Sequence, residues 1–75
     1  VKADVSLDCT GLLCPMPIVH TAMKIKTLSK GQVLEVLSDD VGIKADMPAW
    51  SLVTGNELLA MEEQDGKFKL YVKKA

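Results

Sequence analysis

The sequence predicts a small α/β (α+β) domain in which a four-stranded mixed sheet carries two helices on one face. The apolar residues follow strand and helix spacings in the order β-α-β-α-β-β. Two consecutive β-α units favour parallel strand pairing with both helices on the same side. Asp65-Gly66, between the last two apolar segments, is typical of a tight hairpin and adds an antiparallel pair. At 75 residues, 48% of them apolar, we expect one domain covering residues 1–75.

The first half of the chain predicts a strand, a helix and a second strand. Residues 3–8 alternate between apolar and polar side chains, as a half-buried strand does. From Ile18 the apolar spacing changes to three and four residues, which indicates a helix that we expect to end near Lys30-Gly31. Residues 32–38 are apolar enough to form a central strand.

The second half predicts another helix and a hairpin. Four residues fall at helical spacing: Ile43, Met47, Trp50 and Val53. Pro48 leaves two interpretations open, either one helix that bends there or a short turn followed by a helix beginning near Asp46. We favour one bent helix, and we interpret Asp46, just before Met47-Pro48, as a turn cap. Residues 57–63 and 68–73 then form the two strands of the hairpin.

Composition and charge disfavour nucleic-acid and membrane partners. The net charge is −1, and all nine basic residues are lysines, so the arginines that usually read phosphates and guanine are absent. Three aromatic residues are too few for a base-stacking platform. No apolar run approaches the ~18 residues of a membrane span, and residues 1–4 do not resemble a signal peptide. Two cysteines make no disulfide framework, so we expect the reducing environment of the cytoplasm. We also expect a monomer.

The most informative stretch is Gly-Leu-Leu-Cys-Pro-Met-Pro-Ile, residues 11–18. Cys14 lies where the first strand's loop becomes the first helix. We expect Pro15 at the first helical position and Pro17 in the same turn, because proline tolerates the missing amide there. Among the first amides, those of Met16 and Ile18 would then remain near the sulfur. The helix dipole favours a thiolate by about 0.3–1 kcal/mol, so we expect an accessible, moderately activated thiol. A packed, inert cysteine is the simpler alternative.

The order of short motifs resembles the TusA/SirA-like family of small sulfur-carrier proteins over about residues 7–71. The matching landmarks are Leu7-Asp8, Gly11-Leu12, Cys14-Pro15-Met16-Pro17, Gly31, Asp39-Asp40, Asp46-Met47-Pro48 with Trp50, Gly55 and Glu57-Leu58. The resemblance implies a two-layer α/β sandwich like the C-terminal domain of translation initiation factor three. It also implies that Cys14, in the Cys-Pro-x-Pro motif, carries sulfur as a persulfide between partner proteins.

That function implies protein partners and no cofactor or metal. The donor would be a cysteine desulfurase or another sulfurtransferase, and the acceptor a thiol-bearing protein, so the chain would act as a sulfurtransferase-type carrier and co-substrate. Three departures from the family pattern leave the pathway open among tRNA thiolation, cofactor sulfuration and other sulfur metabolism. Val41 replaces a common proline, Asn56 replaces a common histidine, and lysines (Lys24 and Lys26) stand where one branch is rich in arginine.

Other residues have both functional and structural interpretations. Cys9 is either a small packed side chain or a resolving thiol for Cys14, and a metal site of these two with His20 lacks the usual spacing. Five residues are candidates for docking partner proteins: His20, Lys24, Asp39, Asp40 and Trp50. Their structural alternatives are a solvated helix face, strand-end caps and core packing. The alternative function is a thiol redox or regulatory interaction module using Cys9 and Cys14. An RNA-binding module would rest on fold analogy alone.

Overall fold

The computed structural model describes residues 2–13 and 15–75, so the predicted carrier residue, Cys14, lies outside the described residues. The elements are β1 (Val5–Asp8), α1 (Met16–Ile25), β2 (Val33–Ser38), α2 (Ile43–Thr54), β3 (Glu57–Gln64) and β4 (Lys67–Lys73). The predicted β-α-β-α-β-β order is therefore confirmed. Neither helix in the described part of the chain has the length and apolarity needed to cross a membrane.

The four strands form one mixed sheet in the order β1-β2-β4-β3. β1 and β2 are parallel, with Val5 opposite Leu34, as two β-α units require. β4 lies antiparallel to both β2 and β3, and Val72 lies opposite Leu34 on one side and Leu58 on the other. β2 is thus a central strand, as its apolar sequence predicts. β4 is the second central strand.

One face of the sheet and both helices enclose the core. The buried apolar residues of this single cluster are Cys9, Ile25, Leu34, Val36, Ile43, Met47, Phe68, Leu70 and Val72. Alternate residues of β2 and β4 point to the same face, so the sheet presents one apolar layer to the helices. The molecule is a two-layer α/β sandwich, which confirms the predicted fold class.

The hairpin between β3 and β4 has the predicted turn. Asp65 and Gly66 have φ angles of 53° and 75°. Positive φ at both central residues defines a type I′ turn, whose twist matches that of the flanking strands. A register shift between Leu58 and Ala60 adds a bulge to β3.

The first helix is shorter than the sequence predicts. α1 ends at Ile25, and the expected end near Lys30-Gly31 is wrong. The amides of Thr27 and Leu28 bond to carbonyls three residues earlier, at 3.0 and 3.1 Å, and the Thr27 hydroxyl also donates to the Lys24 carbonyl at 2.7 Å. These bonds tighten the chain into turns, so the α-helical pattern stops before the glycine is reached.

The second helix is continuous through Pro48. The interpretation with one helix is confirmed, and Asp46 lies in its first turn, so its prediction as a turn cap is wrong. Proline lacks an amide and therefore costs α2 one internal hydrogen bond. Met47 is buried and Trp50 half-buried against the core, whereas Val53 is 85% exposed. The buried line of α2 consists of Ile43, Met47 and Ser51, which are spaced four residues apart.

Candidate functional site

The loop between β1 and α1, residues 9–15, begins as an extension of the sheet. The Cys9 amide donates to the Leu37 carbonyl at 2.7 Å, so the parallel pairing runs one residue past the end of β1. The Leu12 amide then donates to the Cys9 carbonyl at 3.2 Å and closes a turn. Gly11, the third residue of that turn, has a φ of 83°, which residues with a side chain rarely adopt. Residues 9–12 of the loop therefore form a defined turn.

Two carboxylates hold the turn from outside. Oδ1 of Asp8 accepts bonds from the Thr10 amide at 2.9 Å and the Thr10 hydroxyl at 2.6 Å. The hydroxyl bond, followed by the amide bond, lowers the pKa of the Asp8 carboxyl group. Oδ1 of Asp39, just after β2, accepts a bond from the Gly11 amide at 3.0 Å. The loop is thus tied to the ends of both neighbouring strands.

The start of α1 differs in one detail from the sequence-based expectation. Pro15 is the capping residue and Met16 the first helical residue, so the prediction that Pro15 occupies the first helical position is wrong. Its ψ angle of 15° lies outside the helical range, yet its carbonyl accepts the first helical bond, from Val19 at 3.1 Å. The Met16 amide donates to the Leu13 carbonyl at 2.8 Å. The Met16 amide therefore already has a hydrogen-bond acceptor, and its expected proximity to the sulfur stays a prediction, since Cys14 lies outside the described residues.

Pro17 lies within the first turn of α1, as predicted. It is the second helical residue and is buried, and its carbonyl accepts a 2.7 Å bond from the hydroxyl of Thr21, which is also buried. Pro15 is exposed. The two motif prolines therefore differ in environment, since Pro17 is on the buried side of α1 and Pro15 is exposed to solvent.

Cys9 is a free thiol that is completely buried in the core. Burial raises its pKa, and the nearby Asp8 carboxylate raises it further. A thiol with a raised pKa carries little thiolate at neutral pH, and thiolate is the reactive form. These properties favour the interpretation of Cys9 as a packed side chain over its interpretation as a resolving thiol.

The five docking candidates occupy three separate places. His20 and Lys24 lie one turn apart on α1, both half-buried. Trp50 packs against the core from α2. Asp39 and Asp40 follow β2, and Oδ1 of Asp40 accepts a 3.1 Å bond from the amide of Gly42, the cap of α2. The structure therefore joins Asp39 to the motif loop through Gly11, and Asp40 to the start of α2 through Gly42.

An exposed apolar stripe next to the Cys-Pro-x-Pro motif was not identified from the sequence. It consists of Leu13, Met16, Val19 and Met23. Leu13 is 76% exposed and Met23 65% exposed. The three helical members have i, i+3, i+7 spacing and lie opposite the buried line of Pro17, Thr21 and Ile25. The helical spacing of Met16, Val19 and Met23 could have revealed the stripe, although the sequence did not show which side of the helix faces the core.

Basic residues lie at one end of the stripe. Residues 9–34 contain no aspartate or glutamate, and Lys24 and Lys26 lie in and just after the last turn of α1. The stripe thus has positive charge at the carboxyl end of α1, whereas the Asp8 and Asp39 carboxylates lie on the motif loop at its other end. Its lysine end suits a partner surface of apolar and acidic residues.

Comparisons with known proteins agree with this description. Residues 5–74 match the family model described as sulfurtransferase TusA, and the chain belongs to that family. It is 42% identical to the sulfur carrier protein TusA of Allochromatium vinosum, covering 96% of this chain and 95% of that protein. It is also 42% identical to the putative sulfur carrier protein YrkI of Bacillus subtilis, with 99% of each covered.

Other relatives are longer than this chain. A putative sulfur carrier protein of Aquifex aeolicus is 45% identical over the whole chain, which spans 38% of that relative's length. The chain spans 40% of the length of YrkF of Bacillus subtilis. Among solved structures, a SirA-like protein from Desulfitobacterium hafniense superimposes with a TM-score of 0.81 at 21% identity over 92% of this chain and 95% of its own. That similarity supports the fold, and the family membership supports a sulfur-carrier role.

Proposed function

We propose that this chain accepts sulfane sulfur as a persulfide on Cys14 and relays it to a thiol-bearing partner protein. The observation that carries the proposal is the anchored β1–α1 loop of a TusA-family chain. Leu13 and Pro15, on either side of Cys14, have carbonyls that bond to the amides of Met16 and Val19. Both flanking residues are exposed. Exposed, hydrogen-bonded neighbours at the start of a helix suit a thiol that must meet the active sites of other proteins.

The proposed chemistry is two successive exchanges at sulfur. The Cys14 thiolate attacks the terminal sulfur of a donor persulfide, a sulfur–sulfur bond forms on Cys14, and the donor leaves as a thiolate. An acceptor thiolate then attacks the same terminal sulfur, and Cys14 leaves as a thiolate. The sulfane sulfur keeps its oxidation state, so no external oxidant or reductant enters. The rates depend on thiolate population and access, so neither step requires a metal or a general base.

The start of α1 would assist both steps. The amino end of a helix carries partial positive charge, which stabilises an anion. Pro15 and Pro17 restrict the backbone on both sides of Met16 and would limit the positions open to the thiolate. The persulfide is more acidic than the thiol and would be held there as the anion.

Partner proteins would dock on the apolar stripe, and His20, Lys24 and Lys26 would contact them beside it. The donor is a cysteine desulfurase or another sulfurtransferase, and the acceptor belongs to tRNA thiolation, cofactor sulfuration or another sulfur pathway of the cytoplasm. The chain would be a co-substrate of those enzymes. The redox alternative gains no support, because it needs a reactive second thiol and Cys9 is buried with a raised pKa.

Intact-mass spectrometry tests the proposal. The protein is incubated with a purified cysteine desulfurase and L-cysteine, desalted without reductant and weighed. We expect the mass to increase by one sulfur atom in the parent and in Cys9→Ala, and to remain unchanged in Cys14→Ser. Peptide mapping should place the sulfur on Cys14. Sulfur loading on Cys14→Ser, or a Cys9–Cys14 disulfide as the sole product in the parent, would overturn the carrier function.

A further inference from the structure

We propose that Asp39 is a positioning residue for Cys14, because its carboxylate holds the Gly11 amide and so fixes the turn that leads to the thiol. This inference rests on the proposed carrier function and deepens it. Asp39 is not part of the Cys-Pro-x-Pro motif and lies 28 residues away from Gly11 in the chain. It would act on sulfur transfer without touching the sulfur donor.

The hydrogen bonds of the turn explain why an outside acceptor matters. The Leu12 amide bonds back to the Cys9 carbonyl and closes the turn, and the Gly11 amide points elsewhere, to Oδ1 of Asp39 at 3.0 Å. Gly11 adopts a left-handed backbone conformation with a φ of 83°. Glycine has many alternative conformations, so this one needs a contact that selects it. The Asp39 carboxylate supplies that contact three residues before Cys14.

Asp39 also ties the loop to a rigid part of the fold. It immediately follows β2, whose Leu37 carbonyl accepts the Cys9 amide at 2.7 Å. The loop is therefore bound to the end of a central strand at two places, once through Cys9 and once through Gly11. Loss of the second bond would free the turn between Cys9 and the start of α1. The thiol would then spend less time in the orientation that a partner's active site requires.

Asp4, just before β1, provides a matched control. Its carboxylate also holds a backbone amide of another segment, because Oδ2 accepts a 2.9 Å bond from the Val33 amide, but this bond lies at the opposite end of β1 from the motif loop. Asparagine at position 39 removes the charge and keeps an oxygen acceptor, whereas alanine removes both. A docking role for the Asp39 charge therefore predicts equal effects of the two substitutions on KM. A positioning role predicts an effect of alanine on kcat and rescue by asparagine.

The experiment measures sulfur loading of parent, Asp39→Asn, Asp39→Ala and Asp4→Ala by a cysteine desulfurase across a range of carrier concentrations. We expect Asp39→Ala to lower kcat about tenfold at an unchanged KM, because a misplaced reacting group costs up to about a hundredfold. Asp39→Asn should stay within about twofold of the parent, since the acceptor oxygen remains. Asp4→Ala should keep the kcat of the parent. Equal kcat in Asp39→Ala and Asp39→Asn overturns the inference, and so does a change in KM alone.

A second measurement does not depend on sulfur transfer. Hydrogen exchange of the Gly11 amide should be faster in Asp39→Ala than in Asp39→Asn, and unchanged exchange would contradict the proposed contact. Asp39→Ser, whose side chain is shorter than that of aspartate, replaces the alanine variant if the latter does not fold. Failure of the parent to load sulfur would refute the proposed function. A parent that loads normally beside an equally fast Asp39→Ala refutes only the role of Asp39.

Discussion

The hydroxyl group of Tyr71 donates a 2.9 Å hydrogen bond to Oε2 of Glu35, the residue directly opposite it in the pairing of β4 with β2. The other oxygen of the same carboxylate accepts a 3.1 Å bond from the hydroxyl of Ser6, which lies opposite Glu35 on β1. One carboxylate thus connects three strands on the side of the sheet that faces away from the helices. The bond to Glu35, followed by burial, raises the pKa of Tyr71.

We predict that this contact makes stability depend on alkaline pH. A raised pKa in the folded state means that the Tyr71 proton stabilises the fold below the ordinary pKa of about 10 and that this contribution is lost as pH rises through the raised value. Tyr71→Phe should be less stable than the parent at pH 8, and the difference should shrink at high pH. Urea unfolding between pH 7 and 11 measures it. A difference that stays constant with pH would show that the hydroxyl contributes only through packing.

The Asp8–Thr10 contact predicts the opposite dependence in acid. The pKa of Asp8 is lowered in the folded state, so the carboxylate stabilises the fold above its ordinary pKa of about 3.9, and this contribution disappears as pH falls through the lowered value. Thr10→Val removes the hydroxyl donor, so its unfolding free energy should fall less than that of the parent between pH 5 and 2. Thr10→Ser, which keeps the hydroxyl, should behave like the parent. Equal acid sensitivity of all three proteins would disprove the link.

The burial of Cys9 predicts that only one thiol reacts in the folded protein. Iodoacetamide at neutral pH should modify a single cysteine, Cys14, and both cysteines in concentrated urea. Cys9→Ala should retain sulfur transfer and lose about 1–2 kcal/mol of stability, because a sulfur atom leaves a closed core. A collapse of transfer in Cys9→Ala would instead make Cys9 a relay or resolving thiol.

Replacing Pro15 and Pro17 should affect the rate of sulfur transfer more than it affects the helix. Alanine is the better helix former, and neither position donates a helical bond, so Pro15→Ala and Pro17→Ala should keep α1 intact by circular dichroism. Transfer to a partner should slow, because the backbone beside residue 14 gains freedom. Pro17→Ala should also lose some stability, since Pro17 is buried. Unchanged transfer kinetics in the double variant would limit both prolines to a structural role.

The apolar stripe predicts a docking effect that a matched control isolates. Met23→Asp should raise the KM of a donor enzyme several-fold without changing the stability of the carrier, because Met23 is exposed. Leu52→Asp is the control, since Leu52 is 87% exposed and lies on α2, outside the stripe. Equal effects of both substitutions would indicate a general response to added negative charge, and no effect of Met23→Asp would exclude that part of the stripe from docking.

Local sequence patterns were sufficient for the elements and for the chemical motif. The alternation in β1, the apolar run of β2 and the Asp65-Gly66 turn depend on neighbouring residues, so each could be recognised where it stands. The parallel pairing of β1 with β2 followed from the handedness of a β-α-β connection. The Cys-Pro-x-Pro segment and its companion landmarks were likewise visible without coordinates and led to the family that the comparisons show.

Tertiary packing determined the features that join distant parts of the chain. The insertion of β4 between β2 and β3 decides that Tyr71 meets Glu35, and the pairing of β1 with β2 brings Gly11 to Asp39. Packing of α1 on the sheet also decides that Met23 faces solvent, although two lines of side chains follow a helical period. Sequence by itself determined which segments form strands and helices, because those preferences are local. The partners of Asp39 and Tyr71 depend on register and burial, which exist only after the layers have packed together.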